Sequence, residues 1–175
     1  MHLNPFRLWV YKMLVHDLPE TRFFGLKAGL LRWAGAQIGN NVRINSSAVF
    51  SGNGKLTIGS DVWIGAGDVI CPTGGAEISI GSCCDLGPQV MIITGTHEID
   101  PRGAHVGGRG CSKSVQIGDG CWLGARTTIL PGVTLQKKTV VAAGAVVVKS
   151  EEKKGGLLAG VPAVYKRQIA FDKDA

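Results

Sequence analysis

Across residues 117–147 an aliphatic side chain recurs at every sixth position: Ile117, Leu123, Ile129, Leu135, Val141 and Val147. Six suits neither common period. A helix would throw such residues alternately onto opposite sides, and an amphipathic strand would need them at every second position. Gly118 and Gly124 directly follow two of the aliphatics, and small residues sit four positions after each (Cys121, Thr127, Val133, Thr139, Ala145). This pattern predicts short flat strands joined by tight turns, winding into a solenoid with a narrow interior that buries one aliphatic per side.

The period runs backwards through three further sets: Ile38, Ile44, Phe50; Ile58, Ile64, Ile70; and Ile80, Leu86, Ile92. Between sets the spacing widens to 8, 10 and 25, so 2, 4 and 19 residues are inserted beyond six, each time after a third repeat. If three hexapeptides make one triangular coil, all insertions leave the prism at one edge. The expected organisation is a helical cap over residues 1–36, about five triangular coils over 37–152 with a protruding loop at 98–116, and a tail over 153–175.

The repeats read IGSDVW, IGAGDV, IGSCCD, LGPQVM, IGDGCW and LGARTT, and the chain continues through CWLGARTTILPGVTL, VVAAGAVVVKS and LLAGVPAVYKRQI. From about residue 38 to 169 it resembles the hexapeptide-repeat acyltransferases, and its later part the sugar, maltose and polysaccharide O-acetyltransferases. The resemblance implies an all-β left-handed parallel β-helix. It also implies a short C-terminal helix opened by Gly160, Val161, Pro162 and Ala163, proline suiting a first helical turn. Handedness comes from the resemblance alone, since ordinary parallel crossovers are right-handed.

Composition narrows the classes. The chain has 175 residues, one domain's worth, and its 26 glycines accompany 45% hydrophobic content, which argues for turns in an ordered structure. A formal charge of +6 suits nucleic acid, an acidic membrane or a phosphate-rich cofactor. Without aromatic–basic interleaving or a nucleic-acid motif, the cofactor is favoured and nucleic acid is not expected. Five cysteines without framework spacing point to reduced thiols, with Cys83 and Cys84 expected on opposite sides of one strand. The expected compartment is the cytoplasm, with the inner face of the membrane as an open alternative.

Residues 1–36 carry no hexapeptide pattern. Phe6, Leu8, Trp9, Val10, Met13, Leu14 and Val15 predict one helix, and residues 21–34 a second beyond Pro19. No stretch suffices to span a bilayer, and a signal-peptide cleavage pattern is absent. Two readings stand: an interfacial helix making peripheral membrane contact, or a cap over the open first coil. Asp61, Asp68 and Asp85 are expected to bond turns. Trp63 and Trp122 face outward in this register and each calls for a partner, subunit or ligand.

The resemblance assigns His97, in the string IITGTHEID, as general base. Transfer of an acetyl group from a thioester needs a group that takes the acceptor hydroxyl proton, a task for neutral imidazole. Glu98, with Asp100 beyond it, is the adjacent acid that could orient the ring; a backbone carbonyl is the alternative. The 98–116 excursion is expected to be functional, its glycines permitting movement and Arg102 and Arg109 binding an acidic acceptor. The resemblance implies a coenzyme A site in the last coils. Trp122, Gly124, Ala125, Ala142 and Ala143 would flank the pantetheine arm, and Lys149 and Arg167 the phosphates.

These readings converge on an acetyl-CoA-dependent O-acetyltransferase acting on a saccharide, in a homotrimer whose sites lie between subunits, with no metal. Alternatives are the same chemistry on serine, an amino sugar or an antibiotic, a zinc carbonic anhydrase of this fold, and a non-catalytic scaffold. The carbonic anhydrase needs three converging histidines, and beyond His97 and His105 only His2 and His16 remain.

Overall fold

The computed structural model describes residues 1–171. Two helices, α1 (Pro5–Val15) and α2 (Phe24–Trp33), precede a parallel β-helix. The first coil is β1 (Gln37–Ile38), β2 (Arg43–Ile44) and β3 (Val49–Phe50); the second β4 (Lys55–Ile58), β5 (Trp63–Ile64) and β6 (Val69–Cys71); the third β7 (Glu77–Ile80), β8 (Asp85–Leu86) and β9 (Met91–Ile93). A hairpin, β10 (Gly95–Ile99) and β11 (Gly107–Ser112), then interrupts the winding. Coiling resumes with β12 (Val115–Ile117), β13 (Trp122–Leu123) and β14 (Thr128–Ile129), then β15 (Thr134–Leu135), β16 (Val140–Val141) and β17 (Val146–Val147). The chain closes with β18 (Gly156–Ala159) and β19 (Val164–Gln168).

Three sheets form the prism, with orders β1-β4-β7-β12-β15 (sheet A), β2-β5-β8-β13-β16-β18-β19 (sheet B) and β3-β6-β9-β14-β17 (sheet C). Ile44 stacks beside Ile64, Ile70 beside Ile92, Leu86 beside Leu123 and Leu123 beside Val141, the offsets expected from the insertions. All three insertions lie between a sheet C strand and the next sheet A strand, so one edge carries them. The periodic aliphatics are buried save Ile38, which is half-buried, and the residue two before each from Val42 onward lies beside it in the core.

Stacking dictates where glycine stands. A Cβ added to Gly118 would lie 2.6 Å from the Lys137 nitrogen, and one on Gly124 would lie 2.6 Å from that of Ala143. Gly39, Gly59 and Gly81 meet the next coil in the same way, as do Gly65 and Gly87. In the last complete coil these columns pass to Gln136 and Ala142. The turns from sheet A to sheet B stack too: Asn41, Asp61, Cys83 and Lys138 all take φ between 52° and 59°. Cys83 is therefore an exposed turn residue rather than a strand residue, and Cys84 alone fills the core.

Of the three aspartates expected at turns, Asp61 bonds the Asn41 amide at 2.6 Å, while Asp85 lies on a strand. Asp68 is fully buried and accepts from the Gly65 and Val90 backbone N–H groups at 2.7 and 2.9 Å. Burial outweighs those two bonds and pushes its pKa up to about 7.

Both ends of the solenoid are closed. Leu8, Tyr11 and Val15 of α1 and Ala28 and Leu31 of α2 join the core over the first coil. Lys27 is buried, donating to the Glu20 carbonyl at 2.7 Å and the Ser46 hydroxyl at 3.0 Å. At the other end the expected C-terminal helix is absent among the described residues: Val164–Gln168 is a strand, antiparallel to β18. Its Tyr165 packs half-buried on the core, and the strand covers an edge that a helix would leave unpaired. Residues 172–175 of the tail lie outside the described residues. No described helix is long and apolar enough to cross a membrane.

Two measurements check these constraints. Gly124→Ala is expected to cost about 3 kcal/mol by overpacking, near 10 °C in Tm, whereas Ala142→Gly costs under about 1 kcal/mol. Asp68 holds its proton more tightly folded than unfolded, so its contribution is full below its unfolded pKa near 3.8 and is lost as pH rises through about 7. The Tm difference between wild type and Asp68→Ala should therefore shrink between about pH 4 and pH 7.

Candidate functional site

The insertion edge builds a cleft of about 410 Å³ beside the hairpin, lined by Thr73, Gly74, Gly95, Thr96, His97, Gly110, Cys111 and Ser112. Thr73 and Gly74 come from the shorter insertion one coil earlier, so the recurring edge assembles the cleft from two excursions. The Ser112 hydroxyl donates to the Gly74 carbonyl at 2.9 Å, and the Thr73 N–H donates to Thr94 Oγ1 at 2.7 Å. Gly95 is required there, because a Cβ would lie 2.7 Å from Thr73 Oγ1.

His97 is fixed by its own hairpin. It pairs with Gly110 across the ladder, and its Nδ1 lies 2.9 Å from the Gly108 carbonyl oxygen. A carbonyl only accepts, so the neutral ring carries its proton on Nδ1 and leaves the Nε2 lone pair free. Gly107 and Gly110 flank the ring, and a Cβ on either would stand 3.8–3.9 Å from it. Glycine opposite the histidine leaves the imidazole open to the cleft.

Glu98 does not hold the ring. It is the next residue along β10, and the hydrogen bond at Nδ1 goes to the Gly108 carbonyl instead. The excursion expected as a movable loop is a paired hairpin with a register shift between His97 and Ile99. Its tip is closed by Asp100, whose carboxylate accepts from the Arg102 and Gly103 backbone N–H groups at 3.0 Å each. Arg102 is exposed in that tip and Arg109 is exposed on β11, and neither lines the cleft around His97. One chain therefore brings neither arginine to the imidazole. The backbone-carbonyl alternative is the one found, although nothing in the sequence singles out Gly108, eleven residues on, as the carbonyl, and Thr73 and Ser112 went unnoticed there.

Of the residues expected around a cofactor, all but Lys149 lie away from the His97 edge. Trp122 projects from sheet B, 56% exposed, in one row with Val140, Leu157 and Arg167, about 14 Å across three strand spacings. Gly124 and Ala125, and one coil later Ala142 and Ala143, form the turns from sheet B to sheet C. Ala143 is exposed, whereas Gly124 is buried beneath the next coil, where its smallness serves stacking. Lys149 lies exposed on the His97 edge, two coils further along. His97 and the small-residue turns are thus separated by the width of sheet C, roughly 15–20 Å of extended chain.

The three outer faces differ in chemistry. Sheet A presents Gln37, Thr57, Ser79, Gln116 and Thr134, whereas sheet C presents Val49, Val69, Met91, Thr128 and Val146. Trp63 needs no neighbouring subunit: the Phe24 ring packs edge-on at 6.0 Å and the Arg43 guanidinium lies at 5.1 Å.

Comparison with known proteins agrees with this architecture. The family model for the bacterial transferase hexapeptide (six repeats) matches residues 114–149. The chain is 36% identical over 135 residues to WcaF of Escherichia coli (strain K12), named as a colanic acid biosynthesis acetyltransferase, covering 77% of this chain and 71% of the relative. It is 33% identical over 97 residues to a galactoside O-acetyltransferase of Lactococcus lactis, covering 53% and 44%. Among solved structures it resembles a galactoside acetyltransferase in complex with coenzyme A, at TM-score 0.65 and 19% identity, covering 95% of this chain and 80% of that one. A Vibrio cholerae hexapeptide-repeat acetyltransferase complexed with acetyl coenzyme A gives TM-score 0.66 at 20% identity, covering 95% and 87%.

Openness at His97 is directly measurable. Diethyl pyrocarbonate should carbethoxylate its free Nε2 readily, and Gly110→Leu, which lays a side chain over the ring, should slow that reaction several-fold while leaving the fold intact by circular dichroism.

Proposed function

Because the chain belongs to the hexapeptide-repeat acyltransferases, we propose that it transfers an acetyl group from acetyl-CoA to a hydroxyl of a saccharide or polysaccharide precursor. The observation that carries the reading is the Nδ1–H bond to the Gly108 carbonyl, which leaves Nε2 basic and facing the cleft. As the acceptor oxygen attacks the thioester carbonyl, Nε2 takes its proton, and the Gly108 carbonyl steadies the imidazolium that forms. Collapse of the tetrahedral adduct breaks the carbon–sulfur bond, and the proton returns to the departing sulfur. No enzyme nucleophile is needed, since the thioester is already activated. A saccharide acceptor is supported by the names of the relatives, two of which refer to colanic acid biosynthesis and to a galactoside.

The separation of His97 from the small-residue turns supports a site shared between chains. We assign a left-handed coil and a cytoplasmic homotrimer in which the apolar outer face of sheet C meets a neighbour. This would bring the His97 edge of one subunit against the turns of Ala125 and Ala143 and the exposed Trp122 of the next. Lys149 and Arg167 are then the candidate phosphate contacts, and the hairpin tip with Arg102 the candidate wall on the acceptor side.

His97→Ala is expected to lower kcat by about 10² to 10⁴, the worth of a positioned general base, with acetyl-CoA affinity nearly unchanged by calorimetry. Near-normal turnover in that variant would remove His97 from the mechanism.

A further inference from the structure

The N-terminal helix α1 is apolar on two sides, and the solenoid uses only one. Leu8, Tyr11 and Val15 lie on one helical face and are buried against the first coil. On the opposite face, Phe6, Trp9 and Met13 recur at the same three- and four-residue spacing and are 69%, 59% and 62% exposed. Phe6 and Trp9 stack at 6.0 Å, making one continuous apolar ridge. Leu26 and Trp33 of α2 are also largely exposed, and the Arg7 guanidinium lies 5.2 Å from the Trp33 ring, joining the two helices. A helix apolar on both sides is ordinarily buried on both, so this one lacks a covering.

Charge selects the covering. Neither helix contains an acidic residue, while Arg7, Lys12, Lys27 and Arg32 lie within them, and Arg22 between them. Lys27 is buried, but Arg7, Lys12, Arg22 and Arg32 are exposed. The two acids of the cap are engaged nearby: Asp17 bonds the His16 ring at 2.9 Å and Glu20 accepts from the Ser47 N–H at 3.2 Å. By helical spacing Arg7 and Lys12 stand on either flank of the Phe6, Trp9 and Met13 ridge, so apolar contact and positive charge would meet a partner together.

We propose that the outer face of α1, with the basic residues around it, docks the protein onto an anionic lipid bilayer. Aromatic side chains favour the headgroup boundary, and flanking lysine and arginine meet acidic headgroups there. In the trimer of the proposed function, on which this step of the inference rests, cyclic symmetry turns all three caps towards one end of the assembly. Three weak contacts then act together on a flat surface. The acceptor would consequently be presented at a membrane, as a saccharide carried on a lipid is.

The test is sedimentation of the purified full-length protein with vesicles of phosphatidylcholine alone, or of phosphatidylcholine and phosphatidylglycerol in equal parts. The protein should pellet with the anionic vesicles and far less with the neutral ones, and added salt should weaken binding. Phe6→Ser/Trp9→Ser should reduce partitioning at least about tenfold, and Lys12→Glu/Arg22→Glu should abolish the preference for anionic lipid. Both pairs should keep the wild-type oligomeric state and wild-type transfer to a water-soluble acceptor, which separates failure here from failure of the proposed activity. Absence of wild-type binding to anionic vesicles would overturn the proposal, as would unaltered binding by the first variant. A change of oligomeric state in that variant would also overturn it, assigning the ridge to subunit packing.

Discussion

Backbone ladders between successive coils, about 4.8 Å apart, are the constraint on which the rest of this structure depends. Each coil is a template for the next, and a residue at a corner has a backbone directly above it. Gly118 and Gly124 exist because a single carbon there would collide with Lys137 and Ala143. The same stacking aligns the left-handed turn residues Asn41, Asp61 and Cys83 into a column. Repetition in the sequence is therefore enforced by repetition in space, and it relaxes at Gln136 and Ala142 in the last complete coil.

A regular stack offers little chemistry, because its corners are closed and its interior is filled. The molecule obtains a site by releasing chain at one edge only. The insertion after β6 supplies Thr73 and Gly74, and that after β9 supplies the hairpin with His97, so both arrive in the same cleft. Pairing within the hairpin then performs two tasks. It holds the imidazole against the Gly108 carbonyl, and it places Gly107 and Gly110 where a larger residue would cover the ring. Rigidity here suits the general-base role proposed for His97, whose value depends on position more than on movement.

The ends of the stack face the opposite difficulty, an unpaired edge above an open core. The C-terminal end folds β19 back against β18, and the N-terminal end lays α1 and α2 over the first coil, with Lys27 reaching through to the Glu20 carbonyl and Ser46. Capping explains Leu8, Tyr11 and Val15. It does not explain Phe6, Trp9 and Met13, which point away from everything the cap covers.

By itself the sequence determined the period, the offsets between coils, the edge at which the insertions leave and the position of His97 beside the largest of them. These follow from contacts between equivalent residues, which spacing along the chain records directly. Tertiary structure alone decided which carbonyl holds His97, because a backbone oxygen carries no side-chain signature. It decided that Trp63 is covered by Phe24 and that residues 164–168 form a strand, since Pro162 suits a helix start and a turn alike and only the open edge of β18 distinguishes them. It also decided that Gly124 serves stacking and that α1 has one apolar face to spare. A residue's smallness or greasiness is visible in the sequence, but what stands opposite it is a property of the packed chain.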